Sequence, residues 1–495
     1  MEIELTWLDV KETYRFLKEN YNNIPIIAPP TGTIRPYTIT PELTRMDERK
    51  KRIKALSHLF GPEYAQRLMY LHLALDRFIR LAMPINRLSS ILNETFLYFE
   101  RYLYMKLDWQ KGEPGFYRDH SIHAASESYL GYFLLKGSPV LEQKFIDYFK
   151  MDNKITRYIK DNCPIGNSTP RLLHILYRSW FIASIFHDLG YVISFSRESR
   201  EKMMGFHRHS DLLLKAQRSS FDDIQLLLGN SLLFNTVEQS KLEYSYNQNN
   251  HGTFSAFLLL STFFSPPAFD GIEPLDRVAI ELAAHAIFYH DNLKEKKAHL
   301  IEKDFPKGIQ FDVYTHYFKK VKRPNLKLKT LLAEKNIEPG QLYKINLPTN
   351  EDDKSNRVSF QESPLAFYLR FIDELHVFGR NSLVTDMVDQ ELSKESPFSY
   401  SMPNTRNIVR FPAQIVELTE ENVLNVYFAA DASLYSRERH GVKNPYRAYG
   451  EGKQEHYSKG IEPLLGELYW LQQSNQEAKL FKDISFFFIE IWPGK

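Results

Sequence analysis

One stretch limits the folds open to this chain more than any other. The segment Ser179-Trp180-Phe181-Ile182-Ala183-Ser184-Ile185-Phe186-His187-Asp188-Leu189-Gly190-Tyr191 is apolar almost throughout and carries its ionisable side chains, His187 and Asp188, at its end. Such a segment reads as a helix buried on all sides. An imidazole beside a carboxylate in apolar surroundings is costly unless something neutralises or ligates the two, and a divalent metal would do so. Gly190 gives the helix a stop, which puts the pair in the last turn, where both groups can be aimed at one point. For an isolated His-Asp dipeptide, a hydrogen-bonded histidine with a carboxylate partner is the simpler account. The question is therefore whether other histidines and acids occupy apolar helices, because one metal needs several ligands.

Composition narrows the chemistry. With 495 residues, 43% hydrophobic and 14% aromatic, the chain can bury a large core. Its 63 basic and 61 acidic residues leave a formal charge of +2, so there is no whole-protein field for gripping a polyanion, and nucleic acid is not an expected partner. The single cysteine, Cys163, excludes an internal disulfide and any zinc site of several thiolates. A metal must then use His, Asp and Glu. The first ten residues lack a basic start followed by an apolar run, and no apolar run reaches membrane-spanning length. A cytoplasmic setting without membrane contact is the expectation.

Taken in order, residues 1–110 read as a loosely structured lead-in followed by helices whose histidines, His58 and His72, have no acidic companions. A break at Lys111-Gly112-Glu113-Pro114-Gly115 opens a helix that begins Tyr117-Arg118-Asp119-His120-Ser121-Ile122-His123. His120 and His123 share a face, as a ligand with its supporting shell or as a polar helix start. His251 begins an apolar helix ending at Pro266-Pro267, where the helix N-terminus favours the neutral, metal-binding imidazole. A further helix from Pro274 runs to His290-Asp291 and repeats the layout of the first. Its His285 and His290 lie about 140° apart around the helix; His290 shares a side with Ile287 and is the preferred candidate.

Residues 293–360 form a Lys-rich insertion, and Ser363-Pro364 caps a helix in which the acid Asp373 is surrounded by apolar residues. Residues 381–495 read as a small α/β appendage with strands at 413–418, 422–428 and 484–491. No repeat, Gly-rich phosphate loop or Ser nucleophile elbow is present. The expected fold is mainly α, with a helical core over 111–380.

Collected in order, the candidates are His123, the pair His187-Asp188, His251, His290 and Asp373, each on or at the end of a separate apolar helix. That order resembles the HD superfamily of metal-dependent phosphohydrolases, whose pattern is H, HD, optionally two more H, then D, on an all-helical bundle. The resemblance covers roughly residues 115–380. It extends to flanking residues in Arg118-Asp119-His120-Ser121-Ile122-His123, His251-Gly252-Thr253-Phe254-Ser255-Ala256, Ala286-Ile287-Phe288-Tyr289-His290-Asp291, and Pro364 through Asp373-Glu374-Leu375 to Gly379-Arg380.

Family members with the two extra histidines are similar to cyclic nucleotide and cyclic dinucleotide phosphodiesterases and hold two metals. The resemblance implies that Asp188 bridges two divalent ions, with His123, His187 and Asp373 on one and His251 and His290 on the other. Ligand softness points to Fe, Mn, Co or Zn, with Mg as a weaker occupant. The implied chemistry is hydrolysis of a phosphoester or phosphodiester of a nucleotide, by a hydroxide generated between the ions. Arg118 and Arg380, beside ligands in the matched motifs, are candidate phosphate clamps or surface ion-pair partners. The chain departs from the deoxynucleotide triphosphohydrolase branch, because Leu189-Gly190-Tyr191-Val192 follows its HD in place of a Pro- and His-rich continuation. The rival reading is a non-catalytic sensor that binds a phosphorylated ligand in the same pocket. A third would use the Lys-rich insertion to bind nucleic acid, and the sequence leaves room for a homo-oligomer.

Overall fold

The computed structural model describes residues 5–8, 120–162, 168–190, 220–248, 250–264, 274–291, 318–322, 325–335, 339–347, 359–376, 413–431 and 461–491. Arg118 and Arg380 lie outside the described residues, as does the stretch read from sequence as helical between Met46 and Leu107. The described part is mostly helical, with one small mixed sheet.

Helix boundaries follow local chemistry. In chain order the helices are α1 (His120–Gly137), α2 (Pro139–Lys150), α3 (Lys154–Asn162), α4 (Thr169–Phe186), α5 (Phe221–Leu228), α6 (Leu232–Thr236), α7 (Gln239–Asn247), α8 (His251–Phe264), α9 (Pro274–Asp291), α10 (Leu326–Glu334), α11 (Pro364–Leu375) and α12 (Ile461–Ala478). Ser138 caps α2 by accepting from Leu141 N at 3.1 Å, with Pro139 in the first turn, and Ser220 and Asp223 form a capping box on α5. Asn250 accepts from Thr253 N at 2.9 Å and so fixes the start of α8 at His251. Helix α4 begins ten residues before the apolar stretch and ends at Phe186. His187 and Asp188 therefore sit in the turn just past the helix, one step beyond the last-turn placement expected from sequence.

Helices α1, α2, α9 and α11 pack on α4, and α8 packs on α9. Large buried rings seal the contacts among α1, α4 and α11. Trp180 of α4 lies against the backbone of Gly131 on α1, so closely that a Cβ there would overlap the indole. Trp180 Nε1 donates to Ser128 O at 3.0 Å, and Tyr368 Oη of α11 donates to Gly131 O at 2.7 Å. These bonds satisfy the polar ends of two fully buried aromatics and hold α1, α4 and α11 in one register.

The sheet runs β1 (Thr6–Leu8), β4 (Ala413–Leu418), β5 (Val423–Asp431), β6 (Asp483–Ile491), β3 (Pro339–Ile345), β2 (Phe318–Lys320) in spatial order. All pairs are antiparallel except β5 with β6. Alternate residues face opposite sides. Val416, Val426, Phe428, Phe486 and Phe488 join the helical core, whereas Ile415, Tyr427, Ile489 and Leu342 meet Leu328 and Leu332 of α10 on the other face. The three strands read from sequence at 413–418, 422–428 and 484–491 are present, and they pair with strands from two distant segments: β1 from the lead-in and β2 and β3 from the Lys-rich insertion.

Gly131→Ala should destabilise the protein by about 1–3 kcal/mol through overpacking. Combined with Trp180→Phe, which makes room, the loss should be smaller than the sum of the two single losses. Denaturant unfolding measures this, and strictly additive losses would contradict the packing described.

Candidate metal centre

The turn after α4 is built to hold His187 and Asp188 still. Gly190 N donates to Ser255 Oγ at 2.6 Å, and Ser255 Oγ donates to His187 O at 2.7 Å, so one serine of α8 ties both ends of the turn. A Cβ on Gly190 would collide with the backbone of His251 and Ser255. Glycine at this position is what lets the His-Asp turn approach the start of α8.

His187 Nδ1 donates to Ser184 O at 2.8 Å, which leaves Nε2 as the nitrogen that a metal would take in place of a proton. That Nε2 is fully buried and finds no aligned hydrogen-bond partner among the described residues. It lies 3.3 Å from Asp188 Oδ1. His251 Nε2 is 3.4 Å and His290 Nε2 4.0 Å from the same oxygen. His290 Nδ1 donates to Ile287 O, so this ring too presents Nε2 inward. Arg370 of α11 braces the end of α9, donating to His290 O at 2.8 Å while pairing with Glu374 Oε1 at 2.6 Å.

A second group adjoins the first. His123 Nε2 on α1 is 3.1 Å from Asp373 Oδ1 on α11 and 3.7 Å from Glu127 Oε2 one turn along its own helix. Glu127 Oε2 is also 3.4 Å from His187 Nδ1. Behind His123, its Nδ1 lies 2.8 Å from Nδ1 of His376, a fully buried residue that ends α11. In each of the two groups, His123-Glu127-His187-Asp373 and His187-Asp188-His290, the candidate ligand atoms lie within 4.8 Å of one another.

These separations fit metal ligation. Donors held at about 2.1 Å around a tetrahedral ion are about 3.4 Å apart, and several of the distances above cluster near that value. Neutralisation is needed as well. Glu127 is 0%, Asp188 2% and Asp373 7% exposed, so three carboxylates share one dry site. Burial opposes protonation of His187, yet Asp188, Glu127 and Asp373 outweigh it and hold the imidazole pKa up at about 10. Without a cation, then, a proton takes the cation's place.

All six sequence candidates, His123, His187, Asp188, His251, His290 and Asp373, converge here. His285 does not: it turns away to Ser363 Oγ at 3.2 Å, and burial, with the Lys241 ammonium nearby, pushes its pKa down to about 3. Glu127 and His376 join the centre without a strong signal in the sequence, although each is spaced to share a helix side with a ligand that has one: Glu127 four residues after His123, His376 three after Asp373. Comparison of the chain with protein-family models, with curated proteins and with solved structures finds no match in any of the three. Among the described residues, no helix is long and apolar enough to cross a membrane.

His290→Ala should weaken divalent-metal binding by at least about tenfold, whereas His285→Gln should leave it unchanged. The second variant should instead alter the acid limb of stability. Because folding lowers the His285 pKa from 6.5 to about 3, the unfolded chain binds the extra proton and stability is lost as pH falls through that window. The stability gap between wild type and His285→Gln should therefore shrink toward acid pH, by up to about 1.4 kcal/mol per unit. Metal titration and denaturant unfolding at several pH values check the pair.

Proposed function

We propose that the chain is an HD-type metal-dependent phosphohydrolase that cleaves a phosphoester or phosphodiester of a nucleotide or cyclic nucleotide. The observation carrying this reading is the convergence on Asp188 of three imidazole nitrogens, next to a second His-carboxylate group. Imidazole and carboxylate donors without thiolates suit Fe, Mn, Co or Zn, with Mg weaker. Two such ions, when bound, would supply a water of lowered pKa and positive charge for the phosphoryl oxygens.

The protein's own contribution is placement. Backbone carbonyls of Ser184 and Ile287 fix the tautomers of His187 and His290, so that Nε2 of each is aimed at Asp188. His187 belongs to both groups, and Asp188, 3.3 Å from its Nε2, is the carboxylate proposed to join two ions. Buried helices α4, α8, α9 and α11 keep bulk water from the ligands and so strengthen each charge interaction. Arg118 and Arg380, carried by the matched motifs, are the proposed phosphate clamps. No protein nucleophile is needed, which accords with a chain lacking a nucleophile elbow.

The test is metal analysis together with hydrolysis of a panel of nucleoside monophosphates, cyclic nucleotides and cyclic dinucleotides. Wild type with Mn2+ should turn over at least one member of the panel, and Asp188→Asn should lose more than about 100-fold of that rate, since even changes behind a metal ligand cost 10–100-fold. Full metal occupancy with no turnover on any substrate would replace this reading with a ligand sensor.

A further inference from the structure

Glu127 is a buried carboxylate that the HD pattern does not use. It extends from α1 one turn after His123, on the same helical face, and its Oε2 is 3.7 Å from His123 Nε2 and 3.4 Å from His187 Nδ1. Its side chain has no solvent exposure. Burying an anion there costs several kcal/mol unless a cation meets it.

Two hydrogen bonds decide which atoms of the neighbouring rings are available. His187 commits Nδ1–H to Ser184 O, so its lone pair is at Nε2, on the Asp188 side. For His123, the 2.8 Å contact between its Nδ1 and that of His376 requires one ring to donate and the other to accept. When His123 donates, its Nε2 lone pair is directed at Asp373 and Glu127. His376 is thus a positioning residue for His123, in the role that a carboxylate or carbonyl commonly plays behind a metal-binding imidazole.

The geometry points to Glu127 as a metal ligand, which with His123 and Asp373 forms a carboxylate-rich ion site distinct from the imidazole-rich site of His187, Asp188, His251 and His290. This inference rests on the metal-centre reading above and revises its division of ligands: His187 moves to the Asp188 ion, and Glu127 takes its place beside His123. The three donors come as a His-x-x-x-Glu pair on α1 and one carboxylate from α11. Glu127 Oε2 also lies 3.4 Å from His187 Nδ1, an ion-pair distance rather than a hydrogen bond, because that N–H is given to Ser184 O.

The two sites then differ in the ions they prefer. Two carboxylates and one imidazole form a hard, oxygen-rich set suited to Mn2+ or Mg2+, whereas three imidazoles and one carboxylate favour Zn2+. The expected resting protein is mixed, with a hard ion on the Glu127 side and a softer one on the Asp188 side.

The test uses the full chain, stripped with chelator and titrated with Mn2+ followed by electron paramagnetic resonance, and separately with Zn2+. Wild type should bind two Mn2+. Glu127→Gln, which keeps the shape and removes the charge, should lose one of them, with affinity at that site down at least about tenfold, while the tight Zn2+ site is retained. Asp373→Asn should lose the same ion, and the double variant should lose no more than either single one. Unfolding of the metal-free proteins guards against a trivial cause: apo Glu127→Gln should still unfold in one cooperative transition, so that a lost Mn2+ reports a lost site and not a lost fold. Glu127→Asp, which keeps the charge but shortens the reach, should fall between wild type and Glu127→Gln. Two Mn2+ bound by Glu127→Gln with unchanged affinity would overturn the proposal. Wild type binding no ion would overturn both it and the metal-centre reading. Loss of one Mn2+ in Glu127→Gln, in a protein that hydrolyses nothing, would uphold the ion site and reject only the hydrolase activity.

Discussion

Three carboxylates and several imidazoles face one another in a largely buried space, and the surrounding architecture is arranged around that electrostatic problem. Glu127, Asp188 and Asp373 would repel each other strongly in so dry a site. These carboxylates outweigh burial and raise the His187 pKa to about 10, which favours a proton on the ring when no cation is bound. A metal binding there displaces that proton, so affinity and pH are linked at this centre. A site with this much unfavourable charge is not accounted for by packing alone, and it accords with a chain that trades stability for ligation.

The fold meets the positional demand with helix ends. His187 and Asp188 follow α4, His251 opens α8, His290 closes α9 and Asp373 lies in the last turn of α11. Ends are where backbone groups remain available, and the structure uses them: Ser255 ties the turn after α4, Arg370 binds the carbonyl of His290, and Ser184 and Ile287 orient rings through their carbonyls. Large buried rings, Trp180 and Tyr368 above all, then fix the helices that carry these ends. Precise placement of candidate ligands depends on such supporting contacts as much as on the ligand side chains themselves.

Much of this was legible in the chain because the candidate ligands are polar residues on otherwise apolar helices, where burial is costly unless a metal or a close partner meets them. His187-Asp188, His251, His290 and Asp373 stand out for that reason. Glu127 does not, because Ser126 and Ser128 flank it and give the helix a polar look; only its four-residue spacing from His123 marks it. His376 is hidden by its place at the end of α11, where a polar residue is ordinary. The choice of His290 over His285 follows from helical angle, and the structure adds the partner that His285 meets in its buried place, Ser363. The sheet was half visible. Strands β4, β5 and β6 are alternating apolar runs, but β1 and β2 have three residues each, too few for a period to show, and their pairing with β4 and β3 is a long-range choice that local pattern does not record.

The Arg370-Glu374 pair shows how adjacent acids can divide their work. Asp373 turns to His123 and Glu374 to Arg370, so one helical turn both supplies the centre and braces α9 against it. Function at this centre, catalytic or sensory, requires that cations occupy the space between these side chains. Anomalous X-ray scattering from crystals soaked in Mn2+ locates such ions directly. Peaks are expected within about 2.0–2.3 Å of donor atoms of Asp188 and of Asp373, separated from each other by roughly 3.5–4 Å. Well-ordered His187, Asp188 and Asp373 with no anomalous peak between them would contradict a metal centre here.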